Sequence, residues 1–282
     1  MNRLRVAIVG FGRLGQACAQ ALHEAPNFEL AGVVRRAHGA LPHPFERVAV
    51  AGHARELERA SIALVCVPAQ ATLEVARELL QQRLPIVECA ALEGGALAAH
   101  HRALGEAAHR HRVPAVVGAG WQPGALPLLQ RVFEILIPHG RSESSSHPGV
   151  SLHRTASLEG IAGVQAALAC ERRGADGRPR RYLYVQLAQG ANLAEVEQRV
   201  RADPLYAGEE TALFQVDDVA ALEAAASGIV LERRGTGGAE AHQSLLLEAR
   251  FDAVRFAARV MLDAARQLPQ LRPGAHAWLP RA

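Results

Sequence analysis

No stretch of this sequence approaches about 18 consecutive apolar residues, so its pattern excludes a membrane-spanning helix. The opening residues, Met1 to Gly10, carry only Arg3 and Arg5 as charges and lack the layout of a secretory signal. Cysteine is scarce and dispersed: Cys18, Cys66, Cys89 and Cys170 show neither the close pairs of a zinc site nor the density of a disulfide framework. A soluble chain in a reducing cytoplasm is the expectation. Excess charge is small as well. With 31 basic and 28 acidic side chains the net charge is +3, so the pI near 8.9 reflects abundant arginine rather than a basic patch, and no nucleic acid partner is expected. His100, His101, His109 and His111 look like a metal cluster, but Arg102, Arg110 and Arg112 crowd them with positive charge. No metal is expected.

What is present is enough apolar residue to build a core, 49% of 282 residues. Leu4–Val9 is a short apolar run ended by glycine, and Gly15–His23 spaces Ala17, Cys18 and Leu22 as one helical face. Phe28–Val34 and Ala63–Val67 follow as strands, the latter without alternation and therefore buried on both sides. Thr72–Gln82 reads as a helix, Pro85–Cys89 as a strand, Leu97–His111 as a helix and Ala115–Gly118 as a strand. Strand and helix thus alternate through about 120 residues, which predicts an α/β fold with a doubly wound parallel sheet.

Beyond Gly124 the rhythm changes. A helix over Ala125–Leu136 leads into a polar stretch, Pro138–Pro148, with four serines. Tyr182–Leu187 and Thr211–Val216 read as antiparallel strands with a helix, Leu193–Arg201, between them. Ser227–Arg233 and Leu245–Ala249 add strands, Gly235–Gly238 a turn, and Ala253–Leu268 a strongly periodic helix. The boundaries expected are 1–122 for the first domain, 123–250 for a second, α+β domain, and 251–282 for a helix and tail that can return to the first.

Gly10-Phe11-Gly12-Arg13-Leu14-Gly15 fits GxGxxG directly after a strand and directly before a helix. The first glycine permits the turn, the second lets a pyrophosphate approach the backbone, and the third lets helix and strand pack closely. In this setting the motif predicts a Rossmann-type dinucleotide site. About 20 residues further, where NAD-binding chains offer an acid to the ribose hydroxyls, stand Arg35 and Arg36. Two guanidinium groups can fork onto a 2′-phosphate, so NADP(H) is the expected cofactor. Cys66-Val67-Pro68 and Glu88-Cys89-Ala90-Ala91 end the next two strands at the carboxyl edge, where cofactor and substrate meet. The two thiols read as core or edge groups rather than nucleophiles.

The opening RVAIVGFGRLG, the arginine pair, and above all Gly120-Trp121-Gln122-Pro123-Gly124 resemble the meso-diaminopimelate dehydrogenase family. Pro148-Gly149-Val150-Ser151, Ile161-Ala162-Gly163-Val164, Arg180 to Val185, Arg201-Ala202-Asp203-Pro204 and Leu231 to Gly235 extend the likeness in order along nearly the whole chain. The resemblance implies an NADP-dependent amino acid dehydrogenase, an oxidoreductase that converts CH–NH2 to a 2-oxo acid and ammonia or runs the reverse. It also implies a homodimer, with the second domain binding substrate and dimerising. By the same resemblance Arg181 is the fork for the substrate carboxylate, and Trp121 is an apolar wall beside the substrate, with Gln122, Pro123 and Gly124 in the same turn. No catalytic acid or base is assigned.

Two departures alter the pocket. Where the family carries aspartates that hold the reacting amine, this chain has Gln122 and Ala91, and where it carries a Gly-His-Ser run, Leu152 precedes His153-Arg154-Thr155. Losing two negative charges and gaining a cation turns the pocket away from a substrate with two ammonium groups and toward a small amino, imino or 2-oxo acid. His242, after the glycine-rich turn, is a further candidate for the lining. The lost aspartates equally permit an NADP(H)-binding sensor or accessory protein without turnover.

Overall fold

The computed structural model describes residues 3–36, 39–57, 60–92, 94–147, 149–150, 152–173, 179–206, 210–226, 228–238 and 242–280. The chain divides into two compact units, residues Met1–Pro127 with Val254–Ala282, and residues Leu128–Ala253.

The first unit begins with β1 (Leu4–Val9), α1 (Arg13–Glu24), β2 (Phe28–Val34) and the two-residue β3 (Val50–Ala51). It continues through β4 (Ile62–Val65), α2 (Ala69–Gln81), β5 (Ile86–Glu88), α3 (Gly94–His111) and β6 (Pro114–Val117), then a wide π-type turn over Trp121–Ala125; α4 (Leu126–Leu136) starts there and runs on as the first element of the second unit. With β14 (Gly274–Ala277) from the end of the chain at one edge, the sheet runs β14-β6-β5-β4-β1-β2-β3 and every pairing in it is parallel. Its strand order reverses between β1 and β4, which places a crevice at their carboxyl ends.

Alternation along each strand splits the core into two layers. Val6, Ile8, Ile62, Leu64, Val87 and Val116 face α1 and the last helix, meeting Cys18, Ala19, Leu22, Met261, Leu262 and Ala265. Ala7, Val9, Ala63, Val65, Ile86 and Ala115 face the opposite way, onto Ala76, Leu79 and Leu80 of α2 and Leu104 and Ala108 of α3. A sheet buried on both faces explains why its strands read as unbroken apolar runs.

The second unit contains β7 (Gly140–His147), β8 (Gly149–Val150), α5 (Leu152–Glu159), β9 (Val164–Arg173), β10 (Pro179–Leu187), α6 (Leu193–Ala202) and β11 (Glu210–Gln215). It ends with α7 (Val219–Ala226), β12 (Gly228–Gly235) and β13 (Ser244–Arg250). One sheet has the order β11-β10-β9-β8 and the other β13-β12-β7. Leu158 of α5 and Val196 and Val200 of α6 cover Ala167, Ala169, Leu183 and Val185 on one face of the four-stranded sheet. Val219 and Leu222 meet Leu168, Cys170, Tyr182 and Tyr184 on the other.

One sequence expectation is corrected here: β10 and β11 pair in parallel, not antiparallel. The helix α6 between them returns the chain to the same end of the sheet, so the second strand starts in the direction of the first. The polar stretch with four serines is a strand, β7, paired antiparallel with β12 from Gly140↔Gly235 to His147↔Gly228. Arg233 of β12 is 6% exposed, and its guanidinium donates to the carbonyls of Ile137 (2.7 Å) and Pro138 (3.1 Å) and to Ser142 Oγ (2.8 Å).

After β13 the chain enters α8 (Ala253–Gln267) and ends in β14 (Gly274–Ala277), which adds to β6 at the sheet edge. The sequence pattern left the destination of this tail open. Its apolar face, with Val254, Ala257, Ala258, Met261, Leu262 and Ala265 buried, packs on the first sheet.

Candidate functional site

The glycine motif sits at the sheet's switch point. Gly10 has φ +94, and a Cβ on it would stand 2.5 Å from the Cys66 carbonyl oxygen, so β1 and β4 close together there without room for a side chain. A Cβ on Gly15 would stand 2.2 Å from the Gly10 carbonyl oxygen, which is the close packing of helix on strand that the third glycine allows. Among the described residues nothing lies within 4 Å of where a Cβ on Gly12 would be. Gly12 is the N-cap of α1, no side chain of the described residues caps that end, and no acid stands in its first turn. The amide hydrogens at a helix start and the open space beside Gly12 fit a pyrophosphate.

The two arginines after β2 are not equivalent. Arg36 is exposed, whereas Arg35 is half-buried and its Nη2 donates to the carbonyls of Gly39 (2.7 Å) and Ala40 (3.2 Å). Arg35 Nε is buried without a hydrogen-bond partner among the described residues. Arg35 therefore shapes the loop that follows, and Arg36 is the guanidinium presented to solvent.

At the end of β4 the Cys66 thiol turns inward, 3.8 Å from Cys18 Sγ. Its interaction with Cys18, and then burial, push the Cys66 thiol well above its usual value, while burial and then the Glu88 carboxylate do the same for Cys89. Both are held as neutral thiols, which matches their reading as packing groups. Cys66 meets the cradle through its backbone, with Val67 partly exposed and Pro68 exposed before α2. Ala90 is buried and Ala91 exposed in the loop after β5.

The Trp121–Gly124 segment forms a wide turn in which Ala125 N–H reaches the Gly120 carbonyl at 3.0 Å. Turns of this kind recur at functional sites. The Trp121 ring stands edge-on to Phe256 of α8 at 5.3 Å, Gln122 is exposed, Pro123 packs beside Gly118, and Gly124 is covered by Trp278, 3.5 Å from where its Cβ would be. The residues expected to meet cofactor, and Ala91 with Trp121–Gly124, thus all lie along the carboxyl edge of one sheet. Phe256 and Trp278 were not among the sequence candidates, because they lie more than 130 positions downstream of the turn they touch. The strong periodicity of α8 was the available signal.

In the second unit, Arg154 and Thr155 belong to α5. The Arg154 guanidinium lies over the Tyr206 ring at 6.0 Å and its Nη1 donates to the Leu205 carbonyl at 3.4 Å. Thr155 is 1% exposed, and its Oγ1 accepts the Ala169 N–H at 3.0 Å, which fastens α5 to β9. The side chain of His153 lies outside the described residues. Arg181, half-buried on β10, pairs in register with Glu171 and Thr211 and alternates with Tyr182 onto the face of Leu183 and Val185, the face that α5 and α6 cover. His242 is exposed in the connection between β12 and β13. Among the described residues no group of three or more His, Cys, Asp or Glu could hold a metal ion, and no helix is long and apolar enough to cross a membrane.

Known proteins give this geometry its context. A meso-diaminopimelate D-dehydrogenase of Bacteroides fragilis is 32% identical over 278 residues, which is 98% of this chain and 92% of that protein. This chain belongs to the meso-diaminopimelate D-dehydrogenase family. No protein-family model matches it. Two solved structures share the fold at 20% identity: an engineered D-amino acid dehydrogenase bound to NADP+, TM-score 0.75, and the C. glutamicum DAP dehydrogenase in complex with DAP, TM-score 0.76. Each match covers 100% of this chain and 95% of the other. The likeness of fold therefore extends over both units.

Proposed function

We propose that this member of the meso-diaminopimelate D-dehydrogenase family is an NADP(H)-dependent oxidoreductase acting on the CH–NH2 group of a small amino acid. The observation that carries the cofactor reading is the glycine cradle at the switch point, followed by Arg35 and Arg36 in place of an acid. When bound, NADP+ supplies the hydride acceptor. In the oxidative direction the CH–NH2 group of the substrate would be oxidised to an imine with release of one proton. Water then converts the resulting imine to a 2-oxo acid and ammonium, and the reverse is reductive amination.

The protein's own task is to hold the carbon in place and keep the reacting edge apolar. Trp121, braced by Phe256, gives one wall. A substrate carboxylate suits an arginine fork, and the family resemblance is the ground on which we assign Arg181 to it. Gln122 and Ala91 offer no charge to a second ammonium group, so the preferred substrate carries fewer amines than diaminopimelate. A homodimer and a cytoplasmic location complete the proposal; the first rests on the family resemblance, the second on four dispersed free cysteines.

The test is oxidation of NADPH in the presence of ammonium and a panel of 2-oxo acids. Turnover with a mono-amino product, faster than with the precursor of diaminopimelate, supports the proposal. NADPH binding without turnover on any panel member would overturn it in favour of a sensor.

A further inference from the structure

Glu88 ends β5 as a charged residue with no exposed surface. A carboxylate so placed is costly to desolvate, and an apolar side chain of similar size would fill the space without that penalty. Its contacts show what it does instead. Oε2 accepts the Ala90 N–H at 2.6 Å, two residues ahead in its own loop, and Oε1 accepts the Gly118 N–H at 2.8 Å, at the end of the neighbouring strand β6. The backbone carbonyl of the same residue accepts the Ala119 N–H at 2.8 Å. One residue therefore holds three amides, one in the loop that reaches Ala91 and two in the segment that reaches Trp121 and Gln122.

The two segments it joins are in close contact. Gly118 has φ +74, and a Cβ on Gly120 would stand 3.2 Å from Cys89 Cβ, so the turn is pressed against the β5 loop where only glycine fits easily. Behind the carboxylate stands His100 of α3, 6% exposed, with its Nε2 buried, lacking a hydrogen-bond partner among the described residues, and 3.5 Å from Glu88 Oε1.

We propose that Glu88 is a positioning residue of the active site: by bonding Ala90 and Gly118 at once it fixes the spacing between Ala91 and the Trp121–Gln122 turn, and so the place of the substrate's reacting carbon. This inference rests on the reading of that edge as the site of a dehydrogenase. It separates two jobs along the same sheet edge. The phosphates of the nucleotide fall to β1, α1 and the Arg35–Arg36 corner, which Glu88 does not touch, whereas the place of the reacting carbon depends on the clamp.

Glu88→Gln is the direct test, because one of the two amides then faces an NH2 donor in place of an oxygen acceptor. Turnover of the wild-type enzyme, measured first, tests the dehydrogenase reading by itself. In the variant we expect kcat to fall by roughly tenfold to a hundredfold, as for a reacting atom displaced by a fraction of an ångström to an ångström. The Kd for NADPH should stay within about threefold of wild type, because the glycine cradle and the Arg35–Arg36 corner, which carry the charged phosphates, are untouched. Wild-type kcat and KM in E88Q overturn the inference and leave the dehydrogenase reading standing. Equal losses of NADPH affinity and turnover overturn it as well, since Glu88 would then merely hold the sheet edge together. Should E88Q not fold, amide exchange in the NADPH-bound wild type decides. Slow exchange at both Ala90 and Gly118 supports the clamp, and exchange at either as fast as in the exposed turn at Gly237 overturns it.

Discussion

Trp278 donates its indole N–H to Asp263 at 2.8 Å, which fixes the ring over Gly124 and joins the tail after β14 to α8. The turn that carries Trp121 thus has a floor made by the last residues of the chain. Trp278→Phe keeps a ring there but removes the bond and leaves Asp263 Oδ2, among the described residues, with the Gln267 amide 2.9 Å away. We expect a loss of about 0.5–1.5 kcal/mol in urea unfolding, the net value of one such bond. No change would mean that the bond does not hold the tail.

The inequality of the two arginines predicts an inequality of their variants. Arg36→Ala should weaken NADPH by roughly tenfold to a hundredfold, the worth of charge-assisted bonds to a phosphate, and leave NADH nearly unchanged. Arg35→Ala removes the bonds to Gly39 and Ala40 and should weaken both nucleotides through the loop. Titrations of each variant with both nucleotides check this, and a selective loss in R35A alone would reverse the assignment.

Ala91 and Gln122 are both exposed at the carboxyl edge. Restoring the acids with Ala91→Asp and Gln122→Asp should raise kcat/KM for diaminopimelate by about tenfold or more, since each carboxylate returns a charged partner to an ammonium group. An unchanged value would show that these two positions do not meet the amine.

Cys66 and Cys89 prefer the neutral thiol in the folded chain. A group whose folded value is raised adds stability that is present below its unfolded value, about 8.5 for a thiol, and that is lost as pH rises through the folded value. Urea midpoints should therefore decline on the alkaline side of about pH 8.5, and the decline should lessen in Cys66→Ala relative to its own neutral-pH midpoint. Alkylation of either thiol at neutral pH as fast as a free thiol would contradict this.

The parts of the fold that local pattern encodes were legible in the sequence. Gly10, Gly12 and Gly15 announce their turn because their fixed spacing falls between an apolar run and a helical face, and β1, β2, β4 and α1 to α3 announce themselves because burial on both faces enforces long apolar runs and strong helical spacing. The partners of β7 and β14 are what make them strands. Ser144 lies opposite Leu231 and His276 opposite Val116, so a neighbour's free amides and carbonyls impose the extended form on polar or alanine-rich segments. The direction of β11 depends on α6 returning the chain, which alternation within the strand does not encode. At the site, Trp121 and Arg36 could be read from the sequence, whereas the double clamp of Glu88 could not. An acid closing an apolar strand was its trace, but its two partners, Ala90 and Gly118, are glycine or alanine amides without any side-chain signature.

The most direct test of the whole account is a pair of titrations of the purified chain, one with NADPH and one with NADH, followed by quenching of tryptophan fluorescence. The cradle at Gly10–Gly15 and the Arg36 corner require NADPH to bind at least about tenfold more tightly. Equal affinity, or no measurable binding of NADPH, would contradict it.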